Sequence, residues 1–271
     1  MGESLSDWLA LRHATDVAAR SSALTELIVG RLSDVRPLRI LDLGTGTGSN
    51  IRYLAPASGG EQQWLAVDKD PVLLAEAAAM GQSIAPGVHI ETRVIDLGAV
   101  DAPDIFEGRH LVTASALLDL VSERWIRWVA SECRRAGACA LFPIIYNGHN
   151  ECDPPDPMDA AVFDLFNRHQ VTDKGLAGAA AGPYATDVAR RAFNDLGFEV
   201  RTAPSDWQID RPERELQRQL IEGWASAAVE IAPDQADSID AWKQRRLDHV
   251  AAGRSRIVVG HFDMSAIRNR E

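Results

Sequence analysis

Apolar residues recur along this chain with two alternating periods. Short runs rich in Ile, Leu, Val and Ala recur, most of them closed by an acid, a glycine or a proline: Ile40–Leu43, Gln63–Asp68, His89–Ile95, Leu111–Ser115, Ala138–Tyr146, Phe198–Ala203 and Ser255–Asp263. Runs of this length and composition predict strands buried on both faces. Between them lie stretches with a 3.6-residue period, in which apolar positions return every third or fourth residue to one face. Residues 5–34 read this way through Val17, Leu24, Ile28 and Leu32, with Asp7–Arg12 as a candidate separate short helix. Further helices are predicted from Asn50, over Pro71–Met80, Leu118–Arg135, Met158–His169 and Ala185–Leu196, and twice within 211–252. Gly148–Pro157 is polar and proline-rich and predicts a loop. Strand and helix in alternation predict an α/β fold around a mostly parallel sheet.

The first strand runs into Asp42-Leu-Gly-Thr-Gly-Thr-Gly-Ser-Asn50, with glycines at 44, 46 and 48. Glycine lets the backbone turn at positive φ and lets a ligand lie against the main chain. A loop joining a strand to a helix N-terminus is where an open α/β sheet binds its ligand. A dinucleotide fingerprint, G-x-G-x-x-G, would place its third glycine at 49, where this chain has Ser49. Two more acids close the next strands: Asp68, 20 residues beyond Gly48, and Asp96. A carboxylate at Asp68 can accept both hydroxyls of a ribose. Asp70, just before Pro71, suits the cap of the following helix.

The pattern acidic-x-G-x-G-x-G followed by Asp68 and Asp96 resembles the class I S-adenosylmethionine-dependent methyltransferases of the small-molecule type, over residues 39 to about 145. The resemblance implies a Rossmann-like, seven-stranded, mostly parallel sheet in the order 3-2-1-4-5-7-6, with helices on both faces. The last strand would be antiparallel. It implies that Asp42, Gly44, Thr45, Gly46, Gly48 and Asn50 lie around the amino-acid end of the cofactor, Asp68 and Lys69 at the ribose, and Asp96 and Leu97 at the adenine. Ser115, Leu117 and Asp119, after the fourth strand, would face the sulfonium and the acceptor. Many members have an acid where this chain has His110. Enzymes that methylate amino groups of adenine or glutamine carry Asn/Asp-Pro-Pro-Tyr/Phe where this chain has Ser115-Ala-Leu-Leu, which argues against that chemistry. N-terminal helices in the family close over the cofactor, so Arg12 and Arg20 are candidates for its carboxylate.

Bulk properties narrow the partners. Apolar residues make up 46% and charged residues 25% of the 271, an ordinary globular balance. The expected organisation is one domain, 1–271: N-terminal cap helices over 1–36, a cofactor-binding core over 37–145, a substrate-covering insertion over 146–184, and a C-terminal half over 185–271 with a helical insertion at 211–252. A net charge of −11 argues against nucleic acid. No apolar run is long enough to span a bilayer, and Met1–Ser4 begins no basic-then-apolar leader, so a cytoplasmic location is expected. Cys133, Cys139 and Cys152 lack metal spacing and read as reduced thiols, and no metal site is expected. Oligomeric state stays open, a homodimer included.

Polar residues of the insertion supply the remaining candidates. His169 is the general-base candidate, because imidazole titrates near neutrality, and Tyr146 is the second catalytic candidate. His149, Asp173 and Lys174 are candidates to bind the acceptor. Trp207, Trp224 and Trp242 read as core, and His261, inside a strand, as packing. The reading is methyl transfer to a small molecule, preferably at oxygen, by in-line displacement. Rival readings are an NAD(P)-dependent oxidoreductase, which leaves Asp96 without a role, a non-catalytic S-adenosylmethionine-binding module, and an aminopropyl transferase using the same pocket.

Overall fold

The structure is a computed structural model that describes residues 4–99 and 102–268, so Met1–Glu3 of the leader reading lie outside the described residues. In chain order the strands are β1 (Leu38–Leu43), β2 (Gln62–Asp68), β3 (Val88–Val94), β4 (Leu111–Thr113), β5 (Cys139–Asp153), β6 (Phe198–Pro204), β7 (Trp207–Ile209) and β8 (Arg256–Arg268). The helices are α1 (Leu5–Ala19), α2 (Ser22–Arg31), α3 (Ser49–Ser58), α4 (Pro71–Ile84), α5 (Glu123–Ala136), α6 (Asp159–Gln170), α7 (Ala185–Asp195), α8 (Arg214–Ile231) and α9 (Ala236–Ala251). The strands form one sheet in the order β3-β2-β1-β4-β5-β8-β6, with the short β7 also paired to β8. β3, β2, β1, β4 and β5 run parallel, and β8 is antiparallel to β5, β6 and β7. The expected seventh strand is therefore β8, in its expected place, and β7 is an addition.

Period-2 alternation sorts β1 between two cores. Leu41 and Leu43 face a core closed by α5 and α7, while Leu38 and Ile40 face one closed by α2, α3 and α4. A third core holds Trp207, Trp224 and Trp242, which the sequence reads as core. β5 and β8 continue together beyond the main sheet, Asn150 pairing with Val259 and Cys152 with Ile257. Onto this extended arm pack β7, α6, α8 and α9. Phe163 meets Trp224 at 5.1 Å and Trp242 at 6.3 Å between ring centres, both edge-on. Arg246 is buried there and donates Nε–H to Asp159 at 3.0 Å, with a second contact through Nη2.

Several element boundaries move for local reasons. The loop expected at Gly148–Pro157 is strand as far as Asp153, because β8 supplies its ladder partners. The run 5–34 is two helices. Arg20 adopts an extended backbone, and the Ser21 hydroxyl caps α2 by accepting from the Leu24 amide at 3.3 Å. The helix expected from Leu118 begins only after Ser122, whose hydroxyl accepts from the Trp125 amide. Asp70 caps α4 as expected, at 2.8 Å from the Val72 amide.

One buried carboxylate joins these pieces. Asp263 on β8 accepts from the Ser21 amide at 2.8 Å and from the Ile144 amide at 2.9 Å. Ile144 sits at φ 57° in a bulge of β5. Asp263 thus fixes the joint between α1 and α2 against the point where β5 leaves the main sheet. Replacing it by alanine strands two buried donors, at about 1.5–3 kcal/mol each. Urea denaturation of Asp263→Ala should show a loss of about 3–6 kcal/mol on that basis. An unchanged midpoint would remove Asp263 from this role.

Candidate functional site

The glycine loop is shaped from beneath by Asp42, which is 1% exposed. Its carboxylate accepts from the Thr45 hydroxyl at 2.8 Å and from the Asn50 amide at 2.6 Å. Asn50 also donates to the Thr113 hydroxyl at 3.0 Å, and Thr113 donates onward to the Leu141 carbonyl at 2.7 Å. On its other side Asn50 accepts from Arg20 Nη1 at 2.8 Å. The Arg20 guanidinium lies 3.9 Å from the ring centre of Tyr53. Burial pushes the Asp42 carboxyl up to about 6, against the pull of Asn50, Thr45 and Arg20. Asp42 and Arg20 therefore organise the loop from behind and do not line the cavity in front of it.

Above the loop, Gly44 and Gly46 present bare backbone at φ 64° and 54°. The Gly46 amide donates to Asp68 at 2.8 Å, and a Cβ at Gly46 would come within 2.9 Å of Leu9. Gly48 has a packing reason: at φ 83° its Cβ would meet Met80 at 2.5 Å and Ala77 at 3.2 Å, so α3 and α4 could not approach. Asp68 also accepts from the Asp70 amide at 3.0 Å, which holds both of its oxygens at the cavity wall.

The cavity has a volume of about 460 Å³, within the range of small-molecule sites. Its floor is the glycine loop and Ser115–Leu117, and its sides are Asp68, Lys69, Ile95 and Leu97. Its cover is one face of α1. Leu5, Trp8, Leu9, Arg12 and Asp16 recur at helical spacing along that face, and Arg12 is paired with Asp16 at 2.9 Å. Lys174 and Leu176 close the side formed by the insertion.

Of the residues singled out in the sequence, Gly44, Thr45, Gly46, Asn50, Asp68, Lys69, Leu97, Ser115, Leu117, Lys174 and Arg12 are brought together in this wall. Asp96 is not. It is exposed and accepts from the Gly98 amide at 2.9 Å, while its neighbours Ile95 and Leu97 face inward. His149 is exposed beside Glu151, and Asp173 caps the Gly175 amide at 2.7 Å outside the cavity. Tyr146 donates to Asn167 at 2.8 Å and accepts from Asn150. Burial pushes its hydroxyl well above its ordinary range, so it stays protonated. His169 also lies behind the wall, with Nε2 3.0 Å from Glu230 and Nδ1 3.1 Å from Lys174. It reaches the cavity only through Lys174.

Two buried polar groups complete the surroundings. Asp119 is buried outside the cavity lining with Oδ1 unpartnered, and burial raises its carboxyl to about 6. His261, which the sequence reads as packing, is buried with Nδ1 unpartnered, 4.9 Å from the Trp207 ring and 6.1 Å from that of Tyr146. Burial and the Arg12 charge hold it neutral, down to about 3. Nothing in local sequence distinguishes His261 from an ordinary strand histidine. The Leu5-Trp8-Leu9-Arg12-Asp16 stripe was available as a signal for the cover.

Comparison with known proteins agrees with this geometry. Residues 40–137 match a family model described as a methyltransferase domain. No curated protein matches the sequence. A solved structure of a candidate methyltransferase from Bacillus halodurans C-125 superimposes with a TM-score of 0.50 at 15% identity, over 92% of this chain and 100% of that one. The cyclopropane synthase MmaA2 from Mycobacterium tuberculosis gives 0.48 at 12% identity, over 90% and 83%. Geranyl diphosphate C-methyltransferase from Streptomyces coelicolor A3(2), solved with Mg2+, geranyl diphosphate and S-adenosyl-L-homocysteine, gives 0.48 at 15%, over 92% and 80%. At such identities the likeness is one of fold, the class I methyltransferase fold.

The two raised carboxyls have a measurable signature. Folded, Asp42 and Asp119 hold their protons to about pH 6, against an ordinary value of 3.8. The native chain therefore binds more protons than the unfolded one across that window, and stability falls as pH rises through it. Asp119→Asn should remove on the order of 2–3 kcal/mol of that fall. Thermal melts between pH 4 and 7 check this; an unchanged slope would mean that Asp119 ionises as freely as in the unfolded chain.

Proposed function

We propose that this chain, whose residues 40–137 form a methyltransferase domain, transfers a methyl group from S-adenosylmethionine to an oxygen of a small molecule held under α1. The observation that carries this reading is the cavity itself: bare glycine backbone, the Asp68 carboxylate and the apolar pair Ile95 and Leu97 converge on one wall. The residues present fit the donor. Gly44 and Gly46 leave room for its amino-acid end, Asp68 can accept from ribose hydroxyls, and Ile95 and Leu97 suit the adenine. Bound there, the sulfonium supplies an electrophilic methyl group.

The chain's own work is then to orient and to exclude water. Ser115–Leu117 and the α1 stripe fix the acceptor from below and above, and orientation of this kind is worth on the order of 7–11 kcal/mol. A concave cavity of about 460 Å³ and a net charge of −11 favour a small molecule over nucleic acid. The preference for oxygen rests on an ionisable group in the wall. Lys174 can hold an anionic oxygen there.

Titration calorimetry with S-adenosylmethionine and, separately, with NADH and NADPH tests the reading. Binding of the sulfonium alone is expected; binding of a nicotinamide cofactor alone would overturn it. Asp68→Ala should weaken S-adenosylmethionine by about 10- to 100-fold, the equivalent of one or two hydrogen bonds to a charged group. Wild-type affinity in that variant would end the ribose assignment.

A further inference from the structure

Lys174 is the one residue of the insertion that brings a charge into the cavity, and it is not held there by a carboxylate. It lies on a short loop pinned at both ends: the Ala180 amide donates to the Thr172 carbonyl at 3.2 Å, and Ser122 donates to the Leu176 carbonyl at 3.3 Å. The loop rests on the turn after β3, where a Cβ at Gly98 would come within 2.5 Å of the Gly175 carbonyl oxygen. Behind the ammonium stands His169, with Nδ1 the nearer ring nitrogen at 3.1 Å and Nε2 at 3.5 Å, and behind His169 stands Glu230, 3.0 Å from Nε2.

The hydrogen positions in this chain of three follow from chemistry. An ammonium has donors and no acceptor, so His169 Nδ1 must accept from Lys174. The neutral imidazole then carries its hydrogen on Nε2 and donates it to Glu230. Glu230 fixes the ring, the ring fixes Nζ, and the remaining ammonium hydrogens are free to meet something in the cavity. The other cations in the wall are differently placed. Arg12 is engaged by Asp16 at 2.9 Å, and Lys69 is exposed at the rim. The cavity that Lys174 enters is largely apolar, with Ala116, Leu117, Leu120 and Leu176 in its lining. Partial burial there pushes the lysine pKa down, against a smaller upward pull from the Glu230 carboxylate.

We infer that Lys174, positioned by His169 and Glu230, binds the carboxylate of the methyl acceptor, which is a small organic acid with an apolar body. This rests on the methyltransferase reading and narrows its substrate class. It also changes the part played by His169. With Nδ1 occupied by the ammonium, His169 is a positioning residue and takes no proton from the acceptor. A single ammonium against an apolar wall selects for one negative charge beside a hydrocarbon surface. It selects against a neutral amide of the same shape, which leaves the ammonium desolvated and uncompensated.

The test uses phenylacetate, cinnamate and octanoate, each against its own primary amide, in calorimetry with the full chain and then as acceptors with S-adenosylmethionine. At least one acid should bind ten- to a hundredfold more tightly than its amide, the range expected for a hydrogen-bonded charge. Lys174→Met should abolish that preference and raise KM for the acid with kcat little changed, while Lys174→Arg should restore part of it. Glu230→Gln and His169→Ala should weaken acid binding several-fold and leave amide binding alone, a selectivity that a purely structural role would not produce. Thermal melts establish that each variant is folded. Acids binding no better than amides, or Lys174→Met retaining the preference, would overturn the inference. Binding of the probes needs no S-adenosylmethionine, so failure of the donor to bind would overturn the methyltransferase reading separately.

Discussion

The site depends on a carboxylate that lies behind the cavity wall. Asp42 sits under the glycine loop with both oxygens engaged, by Thr45 and by Asn50, and through Asn50 it joins Thr113 of β4 and Arg20 at the end of α1. A buried carboxylate is expensive unless hydrogen-bonded, and here the hydrogen bonds come from each segment that must be held in register. The loop, the first turn of α3, the centre of the sheet and the N-terminal helix pair are tied to one point. Asp68 performs the complementary task from above. It accepts the Gly46 amide and so sets the distance between the first two strand ends.

The second constraint is the departure of β5 and β8 from the main sheet. Past the bulge at Ile144 the two strands remain paired, and their extension needs a hydrophobic cover of its own. α6, α8, α9 and the tryptophans provide it. This explains why helices stand between β7 and β8 in number beyond what the sheet requires. They also carry the residues that stand behind the site, since α6 bears His169 and α8 bears Glu230. The Asp263 carboxylate, bonded to Ser21 and to Ile144, couples this arm to the helices over the cavity.

The parallel half of the fold was legible because its signals are local. A strand buried on both faces reads as an apolar run, and the glycine spacing and terminal acids mark the ligand edge. The order of the strands and the antiparallel β8 were legible only through the resemblance. The extension of β5 was not, because Gly148 and the prolines carry loop chemistry and only β8, a hundred residues away, makes strand the better state. Site residues divide in the same way. Asp68, Gly44, Gly46 and Leu97 follow from their place at strand ends, and they line the cavity. Asp96 has the same credentials but turns outward to cap Gly98. Glu230 and His261 approach the site from elements far along the chain, and no spacing rule connects them to it.

The contact between Gly98 and Gly175 carries one more implication. The turn after β3 and the loop bearing Lys174 touch through backbone, with no side chain between them. Donor and acceptor therefore share a wall, and its two halves cannot shift independently. Occupation of the nucleoside end would stiffen the loop that receives the second reactant. On the proposed reading, a molecule seated against one half of that wall would be felt by the other half through this backbone contact.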